Sequence, residues 1–198
     1  MGSTPTGPGN VTAAKAEARA RARAARRDGP AADGEALAAA AVAAITALPG
    51  EPRVTAYVSY GTEPQTGPLL AALAAAGVEV LIPRVRGEDL EWCGADAPRA
   101  TSAMGIEEPG GPERPLLPLR AMLVPALAAS PRGDRLGKGG GFYDRVIAQL
   151  RASGQAPPVI AVLRDDDVWE DVPAQGHDER VDAILTPTRL IDCHASGG

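Results

Sequence analysis

The chain has 198 residues, a formal net charge of −5 at pH 7, and only 3% aromatic residues against 44% hydrophobic ones. That length suits one domain with a core built from Ala, Val, Leu and Ile, and the acidic balance excludes nucleic-acid binding by bulk charge. Cys93 and Cys193 lie far apart, in neither a C-x-x-C pair nor a metal-ligand spacing, so they read as free thiols of a reducing compartment.

Residues 1–10 are mostly Gly, Pro, Ser and Thr, with neither the basic nor the apolar region of a signal peptide. They are expected to form a disordered tail on a cytoplasmic protein. Residues 11–27 are rich in Ala and Arg and predict a helix with Thr12 as its N-cap. Lys15, Arg19, Arg23 and Arg26 recur at i, i+4, i+8 and i+11, which at about 100° per residue gathers them into a stripe roughly 80° wide. Three readings of that stripe stand side by side: a solvated basic face, an arm for nucleic acid, or a wall facing a bound polyphosphate.

Asp28-Gly29-Pro30 ends the first helix, and Asp33 caps a second that runs to about Leu48, with Leu37, Ala41, Ala44, Ile45 and Leu48 on one face. Residues 53–60 predict a strand through the alternation of Val54, Ala56 and Val58. Glu63 follows its carboxyl end, where α/β sheets bind ligands, and is either a solvated loop acid or an acceptor for substrate. A helix spans Thr66-Gly67-Pro68 to Ala76, with Gly77 as its stop, and residues 78–82 form a strand closed by Pro83. Residues 84–118 read as a small irregular insertion with strand-like pieces such as Leu90-Glu91-Trp92, Trp92 being assigned to the core.

A strand follows at residues 121–124, then a helix over residues 142–153 whose buried face is Phe142, Val146, Ile147 and Leu150. Residues 159–163 and 182–186 are the last strands, with Asp165, Asp166 and Asp167 as a solvated turn and residues 193–198 as a fraying tail. Strands alternating with helices predict a single-domain three-layer α/β/α fold over residues 11–192, with a mostly parallel sheet.

The densest chemistry lies between the strand at 121–124 and the helix at 142, in Gly133-Asp134-Arg135-Leu136-Gly137-Lys138-Gly139-Gly140-Gly141-Phe142-Tyr143-Asp144-Arg145. Glycines let backbone N–H groups approach an anion, the helix N-terminus adds partial positive charge, and Arg135 and Lys138 add full charges. This pattern is expected to seat a polyphosphate, the alternative being a flexible surface loop with chance charges. It is neither a G-x4-G-K-[ST] loop nor a G-x-G-x-x-G fingerprint, because Gly139 follows Lys138 and Phe142 stands where a third glycine is needed. Asp144 opens the helix, and Asp178, beside His177, is a second acid suited to magnesium; the ordinary roles are helix N-terminal charge and a turn. No nucleophile constellation and no zinc ligand set is present.

At Val124-Pro125 and Arg135-Leu136-Gly137-Lys138-Gly139-Gly140-Gly141-Phe142-Tyr143-Asp144-Arg145 the chain resembles the 5-formyltetrahydrofolate cyclo-ligase family, the 5,10-methenyltetrahydrofolate synthetases. Lys15-x-x-x-Arg19, Glu63-Pro64-x-Thr66, Ile82-Pro83, Gly105-Ile106-Glu107-Glu108-Pro109, Asp171-Val172-Pro173, His177-Asp178 and residues 182–186 extend the resemblance over residues 15–187. It implies ATP- and magnesium-dependent closure of 5-formyltetrahydrofolate to 5,10-methenyltetrahydrofolate, by phosphoryl transfer to the formyl oxygen, attack by N10 and loss of phosphate. Lys15, Arg19, Arg135, Leu136, Gly137, Lys138, Gly139, Gly140, Gly141, Phe142 and Tyr143 would contact ATP. Arg19, Val58, Glu63 and Tyr143 would contact the folate, Asp144 and Asp178 would hold magnesium, and Arg135 and Lys138 would be catalytic. The expected protein is a monomer acting on a small-molecule folate, with or without a polyglutamate chain, and with no nucleic-acid or membrane partner. Ala126, Ala129, Ser130 and Phe142 depart from residues common in the family. They are expected at the folate pocket, where they would mark a relative with another substrate or without turnover.

Overall fold

Ala121-Met122-Leu123-Val124 is apolar at every position and fully buried. Such a run suits the middle of a parallel sheet covered on both faces, and it lies there. The computed structural model describes residues 8–29, 33–101 and 107–193. In chain order the elements are α1 (Pro8–Asp28), α2 (Gly34–Ala47), β1 (Arg53–Thr55), α3 (Gly67–Ala75), β2 (Glu79–Arg86), β3 (Asp89–Gly94), β4 (Arg99–Thr101), β5 (Glu107–Pro109), β6 (Ala121–Pro125), β7 (Ala128–Ala129), β8 (Arg135–Leu136), α4 (Phe142–Ala152), β9 (Val159–Val162), β10 (Ala183–Leu185) and β11 (Leu190–Asp192).

Among the described residues, seven strands form one sheet in the order β11-β10-β9-β6-β1-β2-β3. The five inner strands are parallel, and β3 and β11 close the edges antiparallel. On one face, Leu37, Ala41 and Ile45 of α2 and Leu69 and Leu73 of α3 pack against Val54, Val80, Ile82 and Leu123. On the other, Ile147 and Leu150 of α4 pack against Leu81, Met122, Val124 and Ala161. The three-layer architecture read from the sequence is therefore the one present. Asp33 caps α2 as expected, its carboxylate accepting the N–H groups of Glu35 and Ala36 at 3.0 and 3.1 Å.

Several boundaries differ for physical reasons. α1 starts at Pro8, inside the expected tail, and proline suits a first turn. Thr12 is therefore one turn inside the helix rather than its cap. β1 stops at Thr55, because Thr66 draws the chain away: its hydroxyl donates to the Tyr57 carbonyl at 2.7 Å and accepts the Ser59 N–H at 2.9 Å. β2 runs through Pro83 to Arg86, since its pairing with β1 ends at Leu81 and the ladder on that side needs no N–H there. Part of the expected irregular insertion is β3, paired along β2 from Leu81↔Gly94 to Arg86↔Asp89, with Trp92 in the core as expected. Gly105 and Ile106 lie outside the described residues. No helix among the described residues is long and apolar enough to cross a membrane.

Candidate active site

The parallel strands run β2-β1-β6-β9-β10, so the chain winds outward in both directions from the gap between β1 and β6. Ligands bind outside the carboxyl ends of strands at such a reversal. Glu63 follows β1 there, and Arg135 and the glycine loop follow β6. A cavity of about 630 Å³ opens beside them, walled by α1, Pro125, the glycine loop, the first turns of α4 and the segment carrying Gln175, His177 and Asp178.

α1 reaches the cavity through its inward face. Ala18 and Ala22 are small and buried, so the helix packs closely on Leu127, Ala128 and Leu136. The same face carries Lys15, Arg19 and Arg26, one turn apart or multiples of it. Lys15 is buried, with Nζ 2.6 Å from Asp178 Oδ1. Arg19 Nε donates to the Gly137 carbonyl at 3.0 Å. Arg26 is buried against Asp167, 2.9 Å away, and donates to the Ala126 and Leu127 carbonyls at 2.7 and 3.2 Å. Arg23 is exposed. Lys15, Arg19 and Arg26 of the basic stripe thus face inward while Arg23 stays solvated, and the expected solvated turn at Asp165, Asp166 and Asp167 holds a buried ion pair.

The strand does not feed the glycine loop directly. A hairpin of β7 and β8 intervenes and presents Arg135. The Arg135 guanidinium is buried, donating to the Pro125 carbonyl at 3.3 Å and to Asp144 Oδ1 at 2.7 Å. Its Nε is buried without a hydrogen-bond partner among the described residues. Gly139 and Gly141 take φ of +111° and +68°, which side chains resist. Gly141 is the N-cap of α4 and supplies no capping side chain. A Cβ on Gly140 would stand 2.8 Å from the Phe142 ring. Phe142 is half-buried at the cavity instead of in the core, with the Arg145 guanidinium 5.0 Å from its ring centroid.

Lys138 reaches across to Glu63, with Nζ 2.7 Å from Oε1, while the Tyr60 N–H donates to Oε2 at 2.7 Å. Tyr143 lines the cavity, and burial, then the Glu63 charge, raises its phenol well above the usual range. Asp144 also accepts the Glu179 N–H at 3.1 Å. Burial pushes the Asp178 carboxyl up, but hydrogen bonds from Lys15 and the Gln175 N–H outweigh it and hold its pKa below the usual carboxylate range. Both acids line one cavity. Among the described residues no three His, Cys, Asp or Glu side chains are grouped to hold a metal ion. Asp144 and Asp178 would therefore supply part of a magnesium shell, with phosphate oxygens and water completing it.

The cavity gathers Lys15, Arg19, Arg135, Gly137, Lys138, Gly139, Gly140, Gly141, Phe142, Tyr143, Asp144 and Asp178. It does not include Leu136, which is buried under α1, or Val58, half-buried against the α2–α3 core. Glu63 joins it only through Lys138. The departures at Ala126, Ala129 and Ser130 are buried in and around the β7–β8 hairpin and do not line the cavity, contrary to expectation. Thr12, read from the sequence only as a helix cap, Arg145, read only as the end of the loop motif, and Gln175 are further residues of the cavity wall. Gln175 donates to Thr12 Oγ1 at 3.4 Å and accepts from Lys15 at 3.3 Å. Arg145 ties the glycine loop to the β2–β3 turn through the Gly140 and Glu88 carbonyls. Only the proximity of Arg145 to the loop was a usable signal.

Fold and cleft together define an α/β protein with a glycine-rich, cation-lined loop at the sheet's point of reversal. A model of the 5-formyltetrahydrofolate cyclo-ligase family, a family of ligases, matches residues 11–187, and the chain belongs to that family. It is 40% identical over 149 residues to the 5-formyltetrahydrofolate cyclo-ligase of Mycolicibacterium smegmatis, covering 70% of this chain and 75% of that one. The Escherichia coli K12 cyclo-ligase is 28% identical over 145 residues, covering 69% and 79%. The fold is shared with Aquifex aeolicus 5,10-methenyltetrahydrofolate synthetase, at a TM-score of 0.70 and 23% identity over 93% of this chain and 94% of that one. The Mycoplasma pneumoniae synthetase gives 0.65 and 18% over 87% and 98%.

Proposed function

We propose that this protein closes 5-formyltetrahydrofolate to 5,10-methenyltetrahydrofolate, consuming ATP with magnesium and releasing ADP and phosphate. The observation that carries the reading is the convergence of Lys15, Arg19 and Arg135 on one cavity bounded by the glycine loop. The loop fits a polyphosphate: Gly139 and Gly141 hold backbone conformations that side chains resist, and the Arg135 Nε is buried with no hydrogen-bond partner among the described residues. Asp144 and Asp178 would hold magnesium, which supplies charge neutralisation for the phosphates when bound.

A formyl oxygen is a poor leaving group, so it is converted to a phosphate ester. The γ-phosphoryl group passes from ATP to that oxygen. The N10 lone pair then attacks the formyl carbon, N10 loses its proton, and the carbon–oxygen bond breaks as phosphate departs. The chain needs no nucleophile for this. Its tasks are alignment and stabilisation of phosphate charge, which Lys15, Arg19, Arg135 and Lys138 perform, while Glu63 and Tyr143 orient the folate. The deciding experiment follows the near-ultraviolet absorbance of the methenyl product with 5-formyltetrahydrofolate and MgATP. ATP-dependent product that is lost in Asp144→Ala and Arg135→Ala supports the reading; no product from folded protein that still binds ATP overturns it.

A further inference from the structure

Each expected phosphate-binding cation with an expected acidic neighbour is already paired: Lys15 with Asp178 at 2.6 Å, Arg135 with Asp144 at 2.7 Å, and Lys138 with Glu63 at 2.7 Å. The first two cations are held in place, their side chains 8% and 3% exposed. The third pair is lopsided. The Lys138 side chain is 49% exposed and stands between Gly137 and Gly139, whereas the Glu63 side chain is 6% exposed. Glu63 is also fixed by the Tyr60 N–H. A long flexible ammonium can swing away into solvent; the buried carboxylate cannot follow it.

On the proposed function, Lys138 meets a nucleotide phosphate and Glu63 meets the folate, and neither does so while they hold each other. We infer that Lys138 exchanges partners during binding, and that this exchange couples the two ligand sites. Without nucleotide, the folate must displace Lys138 to reach Glu63. With nucleotide present, Lys138 leaves for the phosphates and Glu63 is bare. A buried carboxylate without a cation is costly, so it favours a ligand edge that offers N–H donors. The pterin ring, with an amide N–H and an amino group on one edge, has that chemistry. Nucleotide therefore strengthens folate binding, and by linkage folate strengthens nucleotide binding equally.

The test titrates 5-formyltetrahydrofolate into the full chain by calorimetry, with and without magnesium and a non-hydrolysable ATP analogue. In the wild type the analogue is expected to tighten folate binding about fivefold or more. Lys138→Met is expected to bind folate without nucleotide as tightly as the wild type does with it, and to gain nothing further from the analogue. Glu63→Gln is expected to bind the analogue more tightly than the wild type when folate is absent. A pair that merely braced the structure would give losses in these variants, not gains. Equal folate affinity with and without the analogue in the wild type, or a Lys138→Met protein that binds folate no more tightly, overturns the exchange and leaves the functional reading standing. Failure of the wild type to bind either ligand overturns both.

Discussion

Lys15 Nζ lies 2.6 Å from Asp178 Oδ1, although 163 residues separate them, and this contact fastens α1 to the loop that closes the far side of the cleft. Asp178 is the partner that titrates. Hydrogen bonds from Lys15 and the Gln175 N–H outweigh burial and hold its pKa below the ordinary carboxylate range, so the contact contributes fully above that range and is lost as pH falls through the depressed pKa. Amide-exchange protection around Lys15 is therefore expected to hold at neutral pH and to drop on acidification through and below that range. Asp178→Asn is expected to show the loosened pattern already at pH 7. Protection equal to the wild type in that variant would mean that the Ala18 and Ala22 packing and the Arg19 and Arg26 contacts hold the helix without Asp178.

Arg135 makes a second, stricter prediction. Its guanidinium spans the Pro125 carbonyl and Asp144 while its Nε is buried with no hydrogen-bond partner among the described residues. A lysine keeps the charge but has one nitrogen, and cannot serve both partners in a planar fork. Arg135→Lys is expected to fold and to bind ATP, with turnover lowered about a hundredfold or more, the scale seen when one donor to developing charge is removed. Arg135→Ala is expected to lose turnover further and to weaken ATP binding. Steady-state rates beside nucleotide titrations separate the two effects; full activity in Arg135→Lys would show that the charge alone, and not the planar fork, serves turnover.

The sequence made the layers and the loop readable because their signals are local. The apolar run at Ala121-Met122-Leu123-Val124, the Asp33 cap and the glycine cluster each act within a few residues. What it concealed was pairing at a distance. Nothing in the Asp165-Asp166-Asp167 run distinguishes a solvated turn from one whose last residue is buried against Arg26, 141 positions earlier. The helical stripe of Lys15, Arg19, Arg23 and Arg26 fixed which residues share a face, but not that the face points inward. Three of them do so only because Ala18 and Ala22 let α1 settle on the β7–β8 hairpin. The hairpin itself, two residues per strand, is too short to give a periodic pattern.

Two glycines of this region should respond differently to alanine. Gly133 has φ +88°, and a Cβ there would stand 2.5 Å from the Val181 carbonyl oxygen. Its backbone and its neighbour both resist a side chain, so Gly133→Ala is expected to cost about 1–3 kcal/mol of unfolding free energy, with any surviving folded protein binding nucleotide normally. Gly140→Ala meets only the Phe142 ring, at 2.8 Å, and the ring can turn aside at the cavity edge. That variant is expected to stay near wild-type stability and to lose nucleotide affinity. Denaturant melts paired with nucleotide titrations test both; the opposite assignment of losses would show that the loop's glycines serve folding and not the ligand.

Arg26 and Asp167 form the most deeply buried ion pair described, 2.9 Å apart, with side chains 1% and 5% exposed. Removing one partner strands a charge in the interior, so Arg26→Met is expected to destabilise the protein by about 3–5 kcal/mol. Replacing both, as Arg26→Met with Asp167→Leu, removes the stranded charge and fills similar volume, and is expected to recover most of that loss. Arg26 also donates to the Ala126 and Leu127 carbonyls just ahead of the hairpin that carries Arg135. Those bonds are absent in the double variant. Urea unfolding of the singles and the double separates the terms: recovery in the double assigns the cost to charge burial, whereas a double as unstable as Arg26→Met assigns it to the carbonyls that Arg26 holds.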